Sequence, residues 1–311
     1  MKNKTVLLFP GQGSQSVGMG KELYSEFKEA KSTFEEASDV LGFNMAKLCF
    51  EDPESKLNLT EFTQPAILTL STAILRILEN HSNVNFDLVA GHSLGEYSAL
   101  VSIGVLQFSD ALKSVNFRGQ AMQRAVPVGV GAMAAYLGSK CPEIPPLCQE
   151  ISTATSVVEV VNFNSNGQRV LSGHKEGVEK ACAIIAEKKL GKAIKLPVSA
   201  PFHSSLMKPA ANEMADFLNK VTLHSVDKNI VANVDAKIYS GKNYTKEILI
   251  KQIASAVLWT QTLALIHSQN PETQWIEVGP GKVLQGLAAK TIENSKCGTT
   301  HSYDALKTLL D

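Results

Sequence analysis

Ser93 stands between glycines in Gly91-His92-Ser93-Leu94-Gly95, which matches the G-x-S-x-G pattern of a nucleophile elbow. A serine held on a tight strand-to-helix turn is crowded by its neighbours, and glycine relieves that crowding. The flanking residues supply the context the pattern requires. An apolar run, FDLVA, comes directly before it, and the helix-compatible run EYSALVSIG directly after. The N-terminus of such a helix favours the negative charge that develops when a hydroxyl attacks a carbonyl. Nucleophilic attack by Ser93 is the chemistry implied, with a merely tightened connection as the alternative.

A serine hydroxyl needs a base within hydrogen-bond reach. Of the seven histidines, His203 lies in PVSAPFHSSLM, residues 197–207, a polar turn region that could deliver a base across a cleft. From position alone, a structural or exposed histidine stays open. His92 adjoins Ser93 but should point away at a sharp turn and serve packing. His81, His174, His224, His267 and His301 have no comparable context. No Asp or Glu in the sequence demands the place of a third member.

Arg118 lies 25 residues beyond Ser93 in FSDALKSVNFRGQAMQRAV, where Ala111, Leu112, Val115 and Met122 share its apolar pattern. A guanidinium drawn inward there can bind a carboxylate bidentately, or enter a structural ion pair. The opening PGQGSQ fits neither phosphate-loop pattern. Ser16 stands where G-x-G-x-x-G needs its third glycine, and Glu22 follows Gly20-Lys21 where a hydroxyl residue is required. A glycine loop after a first strand can instead lay amides beside a nucleophile.

These residues need a scaffold. Thr5–Phe9 and Phe86–Ala90 read as buried strands, with helices over Lys21–Ala37, Gln64–Glu79 and Phe108–Ala125. Strand, glycine turn and helix in succession indicate a parallel α/β sheet. From 128 to 199 the pattern becomes β-α-β-β-α-β: strands at Gly131–Leu137, Val157–Phe163, Arg169–Ser172 and Lys192–Pro197, and a helix at Gly177–Lys188. The first helix, around Pro145–Thr153, is weakly specified. That order is ferredoxin-like. Helices at Met207–Leu218, Lys246–Ile253 and Thr260–His267, with strands at Asn229–Val234 and Trp275–Val278, then resume the α/β rhythm. The expected division is a discontinuous α/β domain, residues 1–127 and 200–311, with a ferredoxin-like insert at 128–199. A cleft between them is the expected site.

Composition narrows the function class. The chain has 311 residues, 44% hydrophobic and 19% charged, with 30 basic residues balancing 30 acidic ones. That balance gives no global pull toward nucleic acid or an anionic membrane. Cys49, Cys141, Cys148, Cys182 and Cys297 are odd in number and dispersed, which argues against a disulfide framework or a zinc knuckle. The apolar start is only VLLF, a strand rather than a signal peptide. No run approaches the roughly 18 apolar residues of a membrane helix. The reading is a cytoplasmic protein.

Seven stretches carry a resemblance: FPGQGSQSVGMG, GHSLGEYSALVSIGVL, FRGQAMQ, GAMAA, VNFNSNGQRVLSGHKEGVEKA, PVSAPFHSSLM and EVGPGKVLQGL. In that order, across essentially the whole chain, they resemble the malonyl-CoA:acyl-carrier-protein transacylases of bacterial fatty-acid synthesis. The resemblance implies an α/β-hydrolase-like core with a ferredoxin-like insert. It implies that Ser93 carries the acyl group, that His203 is the general acid/base, and that the amides of Gln12 and Leu94 form an oxyanion hole. Arg118 would hold the malonyl carboxylate, and the main-chain carbonyl of Gln252 would orient His203. Phe202 matches malonyl-selective members, and Asn162 would shape the site entrance. The family usually has proline three residues before Trp259, where this chain has Ala256, and PEIPPLCQE departs from its pattern.

By the same resemblance the substrates are malonyl-CoA and the phosphopantetheine thiol of holo acyl carrier protein. The protein would be a monomer with no permanent cofactor or metal, and no nucleic-acid or membrane partner. Lys188, Lys189, Lys192 and Lys195 form a basic stretch that could steer an acidic carrier, or be only a solvated face. A serine thioesterase or carboxylesterase, and a non-catalytic carrier-binding protein, are the rival readings. The hydrolase predicts a late Asp or Glu followed by His, whereas His203 comes well before the C-terminal core.

Overall fold

The computed structural model describes residues 5–198 and 200–310. The outer limits of the expected large domain, residues 1–4 and 311, and the insert's last residue, Ser199, lie outside the described residues.

Strands β1 (Thr5–Phe9) and β2 (Phe86–Gly91) precede the insert. The insert contributes β3 (Gly131–Leu137), β4 (Val158–Ser165), β5 (Gln168–His174) and β6 (Lys192–Lys195). β7 (Asn229–Val231), β8 (Ile238–Ser240), β9 (Gln274–Glu277) and β10 (Cys297–Thr299) follow. The large sheet runs β10-β9-β1-β2-β7-β8, parallel throughout except that the edge strand β8 pairs antiparallel with β7.

β1 is central, and all five of its residues are buried. Side chains alternate across a strand, so Leu7 and Phe9 enter the larger core while Val6 and Leu8 enter the smaller one on the opposite face. That explains why TVLLF is apolar without interruption: strands covered on both faces have no solvent side. The helix Thr60–His81 lines the larger core along most of its length. On the other face, Trp259, Trp275 and Leu284 close the smaller core.

The insert is a four-stranded antiparallel sheet of order β4-β5-β3-β6. Its helices Ile144–Ile151 and Lys175–Glu187 pack on one face, where Ile144 and Ile185 share a core with Leu171 and Tyr136. This is the ferredoxin-like arrangement that the strand order predicts. The weakly specified first helix forms; prolines occupy its first turn, where a missing N–H is harmless. The opposite sheet face, Met133, Val161 and Val170, packs with Phe202 from the returning chain.

The insert's sheet is joined to the returning chain by backbone as well as side chains. Val257, between β8 and β9, runs parallel to β4: its amide donates to Val161 O at 2.8 Å, and its carbonyl accepts from Phe163 N at 3.0 Å.

Elsewhere the structure differs from expectation in boundaries. The segment predicted as one helix over Lys21–Ala37 is two, Lys21–Glu26 and Lys28–Leu41, because Phe27 is extended and packs against the rings of His81 and Tyr303. Strands β8 and β10, and the short helices Met45–Phe50, Val283–Ala289 and Tyr303–Lys307, had no counterpart in the sequence reading.

Candidate active site

The elbow sits where β2 ends and the helix Gly95–Ser102 begins. Ser93 has φ +53, a left-handed conformation that costs a non-glycine residue about 1–2 kcal/mol. A Cβ at Gly91 would lie 1.9 Å from Gly95 O, and one at Gly95 would lie 2.1 Å from Phe9 O. Both glycines are therefore steric necessities. Asn233, just beyond β7, clamps the turn: its Oδ1 accepts from Ser93 N at 2.7 Å and its Nδ2 donates to Gly91 O at 2.6 Å.

His203 is 5% exposed and also left-handed, at φ +62. Its Nε2 lies 2.7 Å from Ser93 Oγ, and its Nδ1 lies 2.9 Å from Gln252 O. A carbonyl only accepts, so Nδ1 carries the hydrogen and Nε2 is the free base. Burial, reinforced by the Arg118 charge, pushes the imidazole down to about 3. The neutral form, the one able to take a proton, therefore prevails at physiological pH.

Arg118 is 1% exposed, drawn inward on the helix Phe108–Arg124 as its apolar neighbours predict. Nη1 donates to Gln64 Oε1 at 2.8 Å, and Nη2 to Gln252 Oε1 at 2.8 Å and Ser93 Oγ at 3.1 Å. All three acceptors are uncharged, and Nε has no hydrogen-bond partner among the described residues. Burial lowers its pKa, but guanidinium remains cationic. The result is a buried cation beside the Ser93 hydroxyl, with no carboxylate among the described residues bonded to it, a costly state that an anion would relieve.

Gln252, 1% exposed, contributes more than its carbonyl. Its Nε2 donates to Ser93 O at 3.0 Å and to Glu96 Oε2 at 2.6 Å. Gln12 bonds through its side chain, Oε1 accepting from Thr60 Oγ1 at 2.6 Å, and Thr60 Oγ1 in turn accepts from Gln64 Nε2 at 3.2 Å. The Gln12 loop lies close to the elbow, since a Cβ at Gly11 would meet His92 O at 2.5 Å. The amides of Gln12 and Leu94 donate to no acceptor among the described residues.

Other expected residues lie further out. His92 turns away, as anticipated, with Nε2 2.9 Å from Asn164 Oδ1 and its ring edge-on to Trp259. Phe202 is half-buried between the insert sheet and the larger core. Asn162 is buried on β4 beside a register shift, opposite Val257, and makes no hydrogen bond to Ser93, His203 or Arg118.

The sequence reading missed Glu96, Asn233, Gln64 and Tyr244. Glu96 is wholly buried and accepts from Tyr244 Oη at 2.5 Å, Gln252 Nε2 at 2.6 Å and Asn233 N at 3.2 Å. Burial lifts its carboxyl to about 7, with the hydrogen bonds and Arg118 opposing. Its only sequence signal was an acid in a helix first turn, which ordinarily reads as a partner of the helix dipole.

Among the described residues no helix is long and apolar enough to cross a membrane. None of their His, Cys, Asp and Glu side chains group so as to hold a metal ion.

Comparison with known proteins places the chain in a family. Residues 6–304 match the family described as acyl transferase domain. The malonyl CoA-acyl carrier protein transacylase of Salmonella typhimurium is 43% identical over 303 residues, 97% of each chain. The acyl-carrier-protein S-malonyltransferase of Burkholderia pseudomallei is 44% identical, with a TM-score of 0.93 over 98% of each chain. A malonyl-transacylase solved in complex with its type II PKS acyl-carrier protein is 40% identical, with a TM-score of 0.94 over 99% of each chain. By the fold and the extent of these matches, the chain belongs to the acyl transferase family, among its malonyl-CoA:acyl-carrier-protein transacylases.

Proposed function

We propose that this chain is a malonyl-CoA:acyl-carrier-protein S-malonyltransferase working through an ester on Ser93. The observation that carries the reading is the convergence on one oxygen: His203 Nε2 at 2.7 Å and the buried cation Arg118 at 3.1 Å from Ser93 Oγ.

His203 takes the Ser93 proton as Oγ attacks the thioester carbonyl, and the amides of Gln12 and Leu94 hold the oxyanion. Each such donor contributes roughly 3 kcal/mol at the transition state. The C–S bond breaks, coenzyme A leaves as a thiol with the proton from His203, and malonate stays esterified to Ser93. The phosphopantetheine thiol of holo acyl carrier protein then gives its proton to His203 and attacks the ester, regenerating the serine. Arg118 binds the malonyl carboxylate throughout. Phe202 narrows the acyl pocket, and Asn162 lines the entrance from β4.

No permanent cofactor enters this scheme. The reading further takes residues 1–127 with 200–311 as the catalytic domain and 128–199 as the insert, in a cytoplasmic monomer. The chain's return to the large sheet at β7 supports that division. The basic stretch from Lys188 to Lys195 is the docking face for the acidic carrier.

Intact-protein mass spectrometry after mixing with malonyl-CoA tests the reading. One malonyl group should load on the wild type, none on Ser93→Ala, and holo carrier protein should remove it. Release of free malonate at the same rate without a thiol acceptor would overturn it in favour of a hydrolase.

A further inference from the structure

Three residues of the site, Ser93, His203 and Arg118, share one support that touches none of the reacting atoms. Glu96 accepts from the backbone amide of Asn233, whose side chain clamps Ser93 N and Gly91 O. It also accepts from Gln252 Nε2, and Gln252 holds His203 by its main-chain carbonyl and Arg118 by Oε1. Nucleophile, base and carboxylate-binding cation are thus each one residue removed from the same carboxyl group.

The Gln252 amide is the point where this matters. Its nitrogen faces two acceptors, Ser93 O and Glu96 Oε2, and its oxygen faces a donor, Arg118 Nη2. Turning the amide over would set NH₂ against guanidinium N–H and oxygen against the Glu96 oxygen, an arrangement of donor against donor and acceptor against acceptor. Without an acceptor at Glu96, only one main-chain carbonyl and Arg118 would hold the amide in place. Tyr244 fixes Glu96 from the far side through its hydroxyl.

We infer that Glu96 is a positioning residue: by its reach it locks the Gln252 amide in the one orientation that presents Oε1 to Arg118, and so sets acyl-group selectivity from outside the pocket. The inference rests on the malonyltransferase reading and deepens it. What the neighbours require is an oxygen at this distance rather than a charge. A carboxyl lifted to about 7 by burial keeps an acceptor oxygen when it takes a proton.

Length and charge can be separated by two variants that both keep a polar acceptor at this position. Glu96→Asp keeps the charge but withdraws the acceptor by one methylene. Glu96→Gln removes the charge but leaves an oxygen at the original reach, with its NH₂ free to turn toward the Tyr244 hydroxyl. The measured quantity is the ratio of kcat/KM for malonyl-CoA over acetyl-CoA in loading of Ser93. Displacing a positioning contact by about 1 Å can cost on the order of 100-fold, so Glu96→Asp should lower the ratio by about 10- to 100-fold. Glu96→Gln should be much the milder variant. A ratio that falls further in Glu96→Gln than in Glu96→Asp, or that moves in neither, would overturn the inference.

A second readout keeps this test separate from the function itself. The rate at which a fluorophosphonate labels Ser93 depends on the Ser93–His203 pair and not on a malonyl group. If the wild type accepts label but no malonyl, the malonyltransferase reading fails. Slower labelling of Glu96→Asp than of Glu96→Gln would still support the positioning role, and the reverse order would sink it.

Discussion

Ser93 Oγ and His203 Nε2 lie 2.7 Å apart, and the two residues share an unusual backbone, with φ +53 at Ser93 and +62 at His203. Both members of the reactive pair are therefore held in the left-handed region. The strain at Ser93 can be measured. Ser93→Ala and Ser93→Gly each remove the hydroxyl, but only glycine also relieves the conformation. The glycine variant should be the more stable by about 1 kcal/mol in urea denaturation, after allowing for its freer unfolded chain. Equal stability would mean that the elbow is not strained.

The buried, neutral His203 makes a prediction about pH. Since kcat/KM reports the free enzyme, the rate of loading from malonyl-CoA should stay level as pH falls through 6.5, with its acid limb far below, toward the value of about 3. An inflection near 6.5 would show an exposed, ordinary imidazole. For stability the sign is also fixed: below 6.5 the unfolded chain takes a proton that folded His203 refuses, so this group destabilises the fold as pH drops. Glu96 and Glu277, both raised to about 7 chiefly by burial, act oppositely over an overlapping window, holding protons that the unfolded chain releases. The rate profile is therefore the cleaner measurement.

Arg118 should act as the selectivity switch. Malonyl-CoA brings a carboxylate to a buried cation that has none, whereas acetyl-CoA leaves it as it was. Arg118→Ala should lower kcat/KM for malonyl-CoA by orders of magnitude and leave acetyl transfer little changed or raised. Arg118→Lys should recover only part, because the ammonium lacks the planar fork that also bonds Gln64 and Gln252. An equal fall for both substrates would make Arg118 a structural group only.

Carrier docking is read from charge. Lys188, Lys189 and Lys192 are exposed, while Lys195 is paired with Glu179 at 2.6 Å. That pair offsets the Lys195 charge, so the local field rests on the other three lysines. Reversing Lys188 and Lys189 to glutamate should raise KM for the carrier protein and flatten its salt dependence, while sparing loading from malonyl-CoA. Unchanged carrier kinetics in that variant would remove the stretch from docking.

How legible this was depended on where each constraint acts. The two glycines of the elbow were readable because contacts with adjacent backbone force them, and β1 because burial on both faces leaves no polar position. Arg118 was readable to the extent that its helix face was. His203 needed the resemblance, since nothing local says that a loop 110 residues away meets Ser93. Asn233 and Glu96 gave no usable signal. Asn233 lies 140 residues from the amide it caps, and Glu96 has the ordinary sequence position of a helix-dipole acid. The break at Phe27 carries neither glycine nor proline and is held by ring contacts from distant segments.

The Val257 segment bears on how the insert can move. Because its backbone extends the insert's sheet at β4, the two lobes share a hydrogen-bonded seam in addition to their covalent crossings. His92 with Asn164, and Thr260 Oγ1 donating to Phe163 O at 2.8 Å, run along the same seam. A clamshell motion of the insert would have to tear main-chain pairing, not merely slide one apolar surface over another. The seam is thus a mortise between the insert and the returning chain, held by bonded backbone and not by apolar contact alone.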